Sequence, residues 1–453
     1  MSIIGETKAR AFPTKEFFVR MITRDIGLDD CILDLVDNSI DSAWNQRGGR
    51  PTGLAEHVDL SAYRIDIEVL PHRFAITDNC GGMTLDDAVN HAFSFGRPPE
   101  TEHEAFSIGV YGIGMKRAVF KIGRDIKVRS TFADGNDRTA FVVPIEVDKW
   151  LRDRRPEWDF DIEVDQPLPA DGVQITVGDL TKGTEDAFQN PLFLQDLRRT
   201  LARDYSLHLA RGLTITVNEI PIQEVHFELR QSEEFVPLRH EYQDEVDGER
   251  VIVEIFAGMA APPPETNEPA DEGQGDARYG WYVICNGRVV LAADKTDVSG
   301  WGTENWPQWH RQYSGFIGII LFSAENATAL PLTTTKRSVE VSSEIWRRAR
   351  PRMREATKAW ISYTNQRKQG LEDAKARESQ AVSVSLERIR PMTTVRLPQI
   401  VAAPSVPSAN VNYIVPRDRL RSLAKEFGDI RMTYREVGIR SFEYAYDDLV
   451  SKD

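Results

Sequence analysis

Three short stretches carry side chains whose types and spacing suit chemistry. In "DLVDNSIDSAWN", Asp34, Asn38, Asp41 and Asn45 recur at three- and four-residue steps, so on a helix they share one narrow face. Asp and Asn are poor interior helix formers, and a solvated face is ordinarily built from Glu, Lys and Arg. Short carboxylates and amides beside an apolar stripe are better suited to holding a metal ion and a water. "AITDNCGGMTLDDA" places Asp78 at the end of an apolar run, followed by Gly81, Gly82 and Met83. A carboxylate there can accept a hydrogen bond from an exocyclic amine, and the glycines let a flat ring approach the backbone. In "FSIGVYGIGMKRAVFKIG", Gly109, Gly112 and Gly114 precede a helix carrying Lys116. Clustered glycines at a helix start expose N–H groups and the positive dipole end, a cradle for phosphate. The order is not that of a GxxxxGK[ST] loop, and no strand leads into it as a dinucleotide fold requires.

The elements that must hold these groups follow from periodicity. Leu33, Val36, Ile40 and Ala43 form the buried stripe of a helix over 28–46, preceded by another over 14–24. Strands are expected at "YRIDIEVL", "FAITD", "DIKVRST", "TAFVVPIEV", "DIEVD" and "GVQITV", with helices at "TLDDAVNHAF" and 112–122. The fold class is α+β, an α/β sandwich with helices over one face of a mixed sheet. The 453 residues allow two or three domains, and 41% hydrophobic residues are ample for their cores. A net charge of −14 gives no global attraction to nucleic acid or anionic membrane. Cys31, Cys80 and Cys285 are far apart and lack CxxC spacing, which excludes a disulfide framework and a zinc site. With no signal-like or spanning stretch, a cytoplasmic protein without membrane contact is expected.

Taken in order, the three segments resemble the GHKL ATPases, the superfamily of DNA gyrase, the ninety-kilodalton heat-shock chaperones, histidine kinases and MutL, closest to MORC-like and chaperone-like bacterial members. The resemblance implies ATP and Mg²⁺ as ligands. Asn38 would bind the metal, and Asp41 completes the first motif. Asp78 would read the adenine amine, Gly82 and Met83 would line the base, and Gly109, Gly112, Gly114 and Lys116 would wrap the phosphates. The mobile lid would correspond to 94–109. Where relatives carry a glutamate general base this chain has Asp34, shorter by about 1.5 Å of reach; displacements near 1 Å can cost roughly 10²-fold in rate, so slow hydrolysis is expected. Cys80 replaces the first glycine of the second motif, and Val173 replaces a threonine near the adenine site.

Residues 1–185 are thus expected to form the ATP-binding domain and 186–343 a transducer-like domain, interrupted by a disordered acidic loop at 259–277. The segments "WYVICNGRVV" and "PLTTTKRS" carry that second resemblance, and Lys336 would be the loop lysine that meets the γ-phosphate. Residues 344–380 read as a basic helix, with 10 Lys or Arg against 5 Asp or Glu, whose Trp346, Trp360 and Tyr363 should pack on the transducer domain. A linker at 381–409 leads to a strand–helix–helix module at 410–453 that looks like a ribbon–helix–helix unit, suited to dimerisation or partner binding. The function expected is Mg-dependent ATP binding and slow hydrolysis that close the lid, pair two protomers and switch a protein partner or DNA. A non-hydrolytic ATP-sensing scaffold and a DNA-associated clamp are the alternatives. MORC-like relatives also imply a place in a multi-component defence system.

Overall fold

The computed structural model describes residues 13–49, 53–54, 58–94, 107–108, 112–153, 158–265, 277–303, 305–400 and 411–450. They fall into two compact units, Met1–Val401 and Ala402–Asp453. Most of the expected lid, Gly109 and most of the expected acidic loop lie outside the described residues.

The first layer of the large unit is helical. Helices α1 (Lys15–Arg24) and α2 (Leu28–Gln46) are followed by α3 (Leu85–Asp87), which runs into a π-turn at Ala88–Ala92, then α4 (Gly114–Ile122) and α5 (Val147–Arg152). Thr14 caps α1 by accepting from Phe17 N, and Asp29 and Asp30 complement the dipole at the start of α2. The stripe Leu33, Val36, Ile40 and Ala43 is fully buried, as its spacing predicts. Beneath lies an eight-stranded mixed sheet: β1 (Arg64–Leu70), β2 (Arg73–Asp78), β3 (Gly123–Asp134), β4 (Asp137–Glu146), β5 (Glu163–Val164), β6 (Gly172–Leu180), β7 (Thr214–Val217) and β8 (Ile220–Pro221). Its order is β5-β4-β3-β6-β2-β1-β7-β8. The strand β7 pairs in parallel with β1, so 214–221 complete this first sheet and do not begin the second domain. Helices α6 (Lys182–Phe188), α7 (Pro191–Asp204) and α8 (Ser206–Leu209) carry the chain there. Sequence periodicity identifies β7 as a strand but says nothing of which distant edge receives it.

The second sheet has the order β10-β11-β14-β12-β13, built from β10 (Leu238–Val246), β11 (Glu249–Met259), β12 (Gly280–Cys285), β13 (Arg288–Asp294) and β14 (Phe316–Ala324). Its two faces follow the period of two: Trp281, Val283 and Cys285 point into one core, Tyr282 and Ile284 into another. Over the first face lies α9 (Glu344–Arg367), which presents Trp346, Met353, Trp360 and Tyr363. The expected packing of these aromatics holds, and α9 runs through Pro351. The single basic helix expected over 344–380 is two helices, because the chain turns at 368–370 into α10 (Leu371–Glu378). A buried Arg367–Glu378 ion pair at 2.7 Å ties α10 back onto α9.

The expected linker 381–409 is also corrected. Strand β15 (Val382–Ser385) pairs antiparallel with β9 (Glu228–Gln231), Leu386, Ile389 and Ile400 are buried, and Arg396 and Met392 bridge to Val236 and Arg239. Proline-dotted sequence rules out helix but not edge pairing, and these apolar residues find a partner strand. The terminal unit holds α11 (Arg417–Glu426) and α12 (Tyr434–Leu449), the latter entered through the expected Thr433–Glu436 capping box. No strand precedes them among the described residues: 411–416 is irregular and largely exposed. Its β-branched residues have no strand to pair with among the described residues of the unit. No helix among the described residues is long and apolar enough to cross a membrane.

Candidate functional site

Strand β2 delivers Asp78 at its last residue, buried at 9% exposure. One carboxylate oxygen accepts from Ser39 Oγ on α2 at 2.7 Å; the other accepts from Cys80 N at 3.0 Å and Val173 N at 3.2 Å. Burial pushes its pKa up, against the pull of these hydrogen bonds. Each carboxylate oxygen has two lone-pair directions, and that facing Ser39 retains one. The turn that follows has positive φ at Gly81 (+102°) and Gly82 (+73°). The left-handed positions are therefore 81 and 82, and the place occupied by Cys80 makes no such demand. At Gly82 a Cβ would sit 2.0 Å from the Thr131 carbonyl oxygen, so glycine is required there. Met83 is half-buried, with its N–H and carbonyl both held by Ser130 Oγ at 2.7 and 2.8 Å. Val173, which replaces a side-chain hydroxyl, contributes its backbone N–H instead.

The glycine-rich loop enters α4 through Gly112, at φ +64°. Gly114 brings α4 against α2 so closely that a Cβ there would lie 3.3 Å from Asp34 Cγ. Lys116 is buried, and its ammonium donates to the carbonyls of Ala92 and Ser94 at 2.8 and 2.7 Å. It fastens the end of the π-turn to α4. Its place in the sequence could not reveal those carbonyls.

The polar stripe on α2 divides. Asn38 and Asn45 are exposed, whereas Asp34 and Asp41 are buried. Asp41 accepts from Ile108 N through both oxygens at 2.9 Å, anchoring the far end of the loop before α4. Asp34 is held from two sides. Arg117 on α4 binds one oxygen through Nη2 at 2.6 Å and Nε at 2.8 Å, and Lys336 reaches the other at 3.1 Å.

Lys336 comes from the loop 332–339 after β14, 302 residues along the chain, and sits at φ +56°, a left-handed conformation uncommon outside glycine. The same ammonium lies 2.7 Å from Asp37. Asp37 is fully buried and also binds Arg288, from the start of β13, and the Tyr205 hydroxyl at 2.8 Å. Burial raises its pKa, but Arg288 and Lys336 outweigh this and hold it below the ordinary carboxylate value. Next to Lys336, Arg337 binds Asp29 at 2.9 Å, Asp204 at 3.0 Å and Asp30. Two consecutive cations of the loop 332–339 thus clasp the acidic side of α2.

The structure brings Asp34 and Lys336 together, sets Asp78, Gly82 and Met83 around one turn, and leaves Asn38 on the open side of α2. Sequence reasoning missed Asp37, Ser39, Arg117, Tyr205 and Arg288. Asp37 stands three residues from Asp34, and Arg117 follows Lys116. Arg288 follows the Asn286–Gly287 turn, whose positive φ values of +45° and +83° mark a tight hairpin. Those were the available signals, and none says which charge meets which. No curated protein matches the chain. Residues 26–159, which span α2, the Asp78 turn and α4, match the family model described as histidine kinase-, DNA gyrase B-, and HSP90-like ATPase, and this supports placing the amino-terminal domain in the GHKL superfamily of ATP-binding domains.

Proposed function

We propose that this protein binds ATP with Mg²⁺ between α2, the Asp78 turn and the start of α4, and hydrolyses it slowly. In this reading the nucleotide state governs closure of the lid at 94–109 and the pairing of two protomers, which together switch a protein partner or DNA. The observation that carries it is the meeting of Lys336, from the loop 332–339, with Asp34 and Asp37 of α2. The residues suit the ligand. Asp78 keeps an acceptor for an exocyclic amine, Gly82 lets the turn lie against the Thr131 backbone, and Asn38 offers an exposed amide oxygen, a hard ligand of the kind Mg²⁺ takes. When bound, the ion supplies charge neutralisation across the phosphates.

Asp34 is the general base of this scheme. Arg117 takes one of its oxygens and Lys336 the other, so transfer of the Lys336 ammonium to phosphate would widen a water's access to the second oxygen, which keeps a lone-pair direction in either state. Lys336 interacts differently in the two states, which is what lets a ligand bias domain geometry. That dependence supports slow turnover more directly than the short side chain does.

Asp34→Asn, nearly isosteric, should lower phosphate release by about 100-fold or more, in the range for loss of a general base, while ATP affinity by calorimetry stays within a few-fold. Lys336→Ala should lower turnover and ATP-dependent pairing together. Wild-type protein that binds ATP without releasing phosphate would instead favour the non-hydrolytic scaffold, and salt-dependent duplex binding would favour the DNA-associated clamp.

A further inference from the structure

The terminal unit buries little of its own apolar surface. Val437 of α12 and Ala424 of α11 meet inside the hairpin, and Ile439, Phe442, Tyr446 and Leu449 of α12 are exposed, Leu449 by 80%. These four recur at steps of three, four and three. At 100° per residue they fall within one 80° arc on the side of the helix away from Val437. That is the spacing of a coiled-coil seam. Phe442 and Tyr446 already stack, with ring centroids 6.4 Å apart.

Charge along α12 selects the occupant of this seam. The amino-terminal half carries Arg435 and Arg440 with Glu436; the carboxyl-terminal half carries Glu443, Asp447 and Asp448, and the last turn has no basic residue. Acids at a helix C-terminus oppose the dipole. A second α12 running antiparallel sets the partner's Arg435 and positive N-terminus toward those acids, whereas a parallel copy sets acids against acids; Arg440 is turned to α11, where it donates to the Phe427 carbonyl at 3.1 Å. The antiparallel pair centred on Tyr444 also places Ile439 opposite the partner's Leu449, and Phe442 opposite the partner's Tyr446.

We infer that α12 is a self-association surface whose partner is a second copy of this chain, packed antiparallel about a two-fold axis that crosses the seam at the level of residue 444. The pairing deepens the protomer pairing proposed above, but it is independent of nucleotide, so the test is run without ATP and its failure leaves ATP binding untouched. The test is oxidative cross-linking of the full chain. Cys31, Cys80 and Cys285 are buried and give a low background. Ile439→Cys/Leu449→Cys should form covalent dimers. Either single variant should not, because each residue and its own copy are then about 15 Å apart along the axis at 1.5 Å per residue, beyond the reach of a disulfide. Adding Phe442→Asp to the double variant should abolish the cross-link with the helical circular dichroism unchanged. Cross-linking in both single variants would mean parallel pairing, and no cross-link in the double variant would mean that another surface covers the seam; either result overturns the proposal.

Discussion

Arg288→Met should destabilise the large unit by roughly 3–5 kcal/mol, the cost of breaking a buried ion pair from one side. Asp37 has no exposed surface and Arg288 only 1%. Removal of the guanidinium leaves the carboxylate to Lys336 and Tyr205 alone and empties the space beside the Tyr205 ring, 5.7 Å from the Arg288 Cζ. Urea unfolding at pH 7 measures the loss. Arg288→Met/Asp37→Asn should cost less than the two single changes added together, because both break the same buried ion pair, and a double variant as unstable as that sum would refute the pair's coupling. The pH dependence has a definite sign. Asp37 titrates below its ordinary value, so its contribution is fully present above the unfolded-state value and is lost as pH falls through the folded one. Variants lacking Asp37 should therefore show a shallower acid limb.

Asp78→Asn should weaken ATP binding by about 10- to 100-fold, the range for hydrogen bonds to a charged group at about 1.5–3 kcal/mol, while leaving the protein as stable as before or more so. Two backbone N–H donors, from Cys80 and Val173, point at one oxygen, and an asparagine must set its carbonyl there. Its NH₂ then takes the position beside Ser39, where the hydroxyl can turn to accept from it. A donor now stands where an exocyclic amine requires an acceptor. Stability moves the other way because burial already raises this carboxyl's pKa. The ionised form costs stability at neutral pH, and a neutral amide relieves that cost. Calorimetric titration with ATP and a thermal melt separate the two effects. Unchanged affinity would remove Asp78 from the adenine site, and a large fall in melting temperature would make its role structural.

The helices and strands of the amino-terminal domain were legible because their periods are clean, and α2 carries four fully buried residues at the predicted positions. Asp78 and its turn were legible for the same reason: a carboxylate at a strand end followed by glycines states its geometry locally. Three things could not be read. Strand β7 pairs with β1 across 150 residues, and only tertiary burial selects that edge. Residues 382–400 look like a linker until β9 supplies a partner. The charge cluster is non-local at every contact, joining α2 to β13, α4 and the loop 332–339. A resemblance in "PLTTTKRS" pointed to Lys336, but nothing in the sequence showed that Asp37, the neighbour of the expected metal ligand, would be fully buried.

The contact between Gly114 and Asp34 bears on how the two positions can change. A Cβ at 114 would lie 3.3–3.4 Å from Asp34, so a side chain there is accommodated only if the acid gives by a few tenths of an ångström, and one more methylene at 34 would press toward the helix start and the Arg117 pair. The short acid and the absent side chain therefore behave as one steric unit. Restoring a glutamate at 34 by itself should give a crowded protein rather than a faster one, and mutagenic libraries or ancestral reconstructions of this domain should vary both positions jointly.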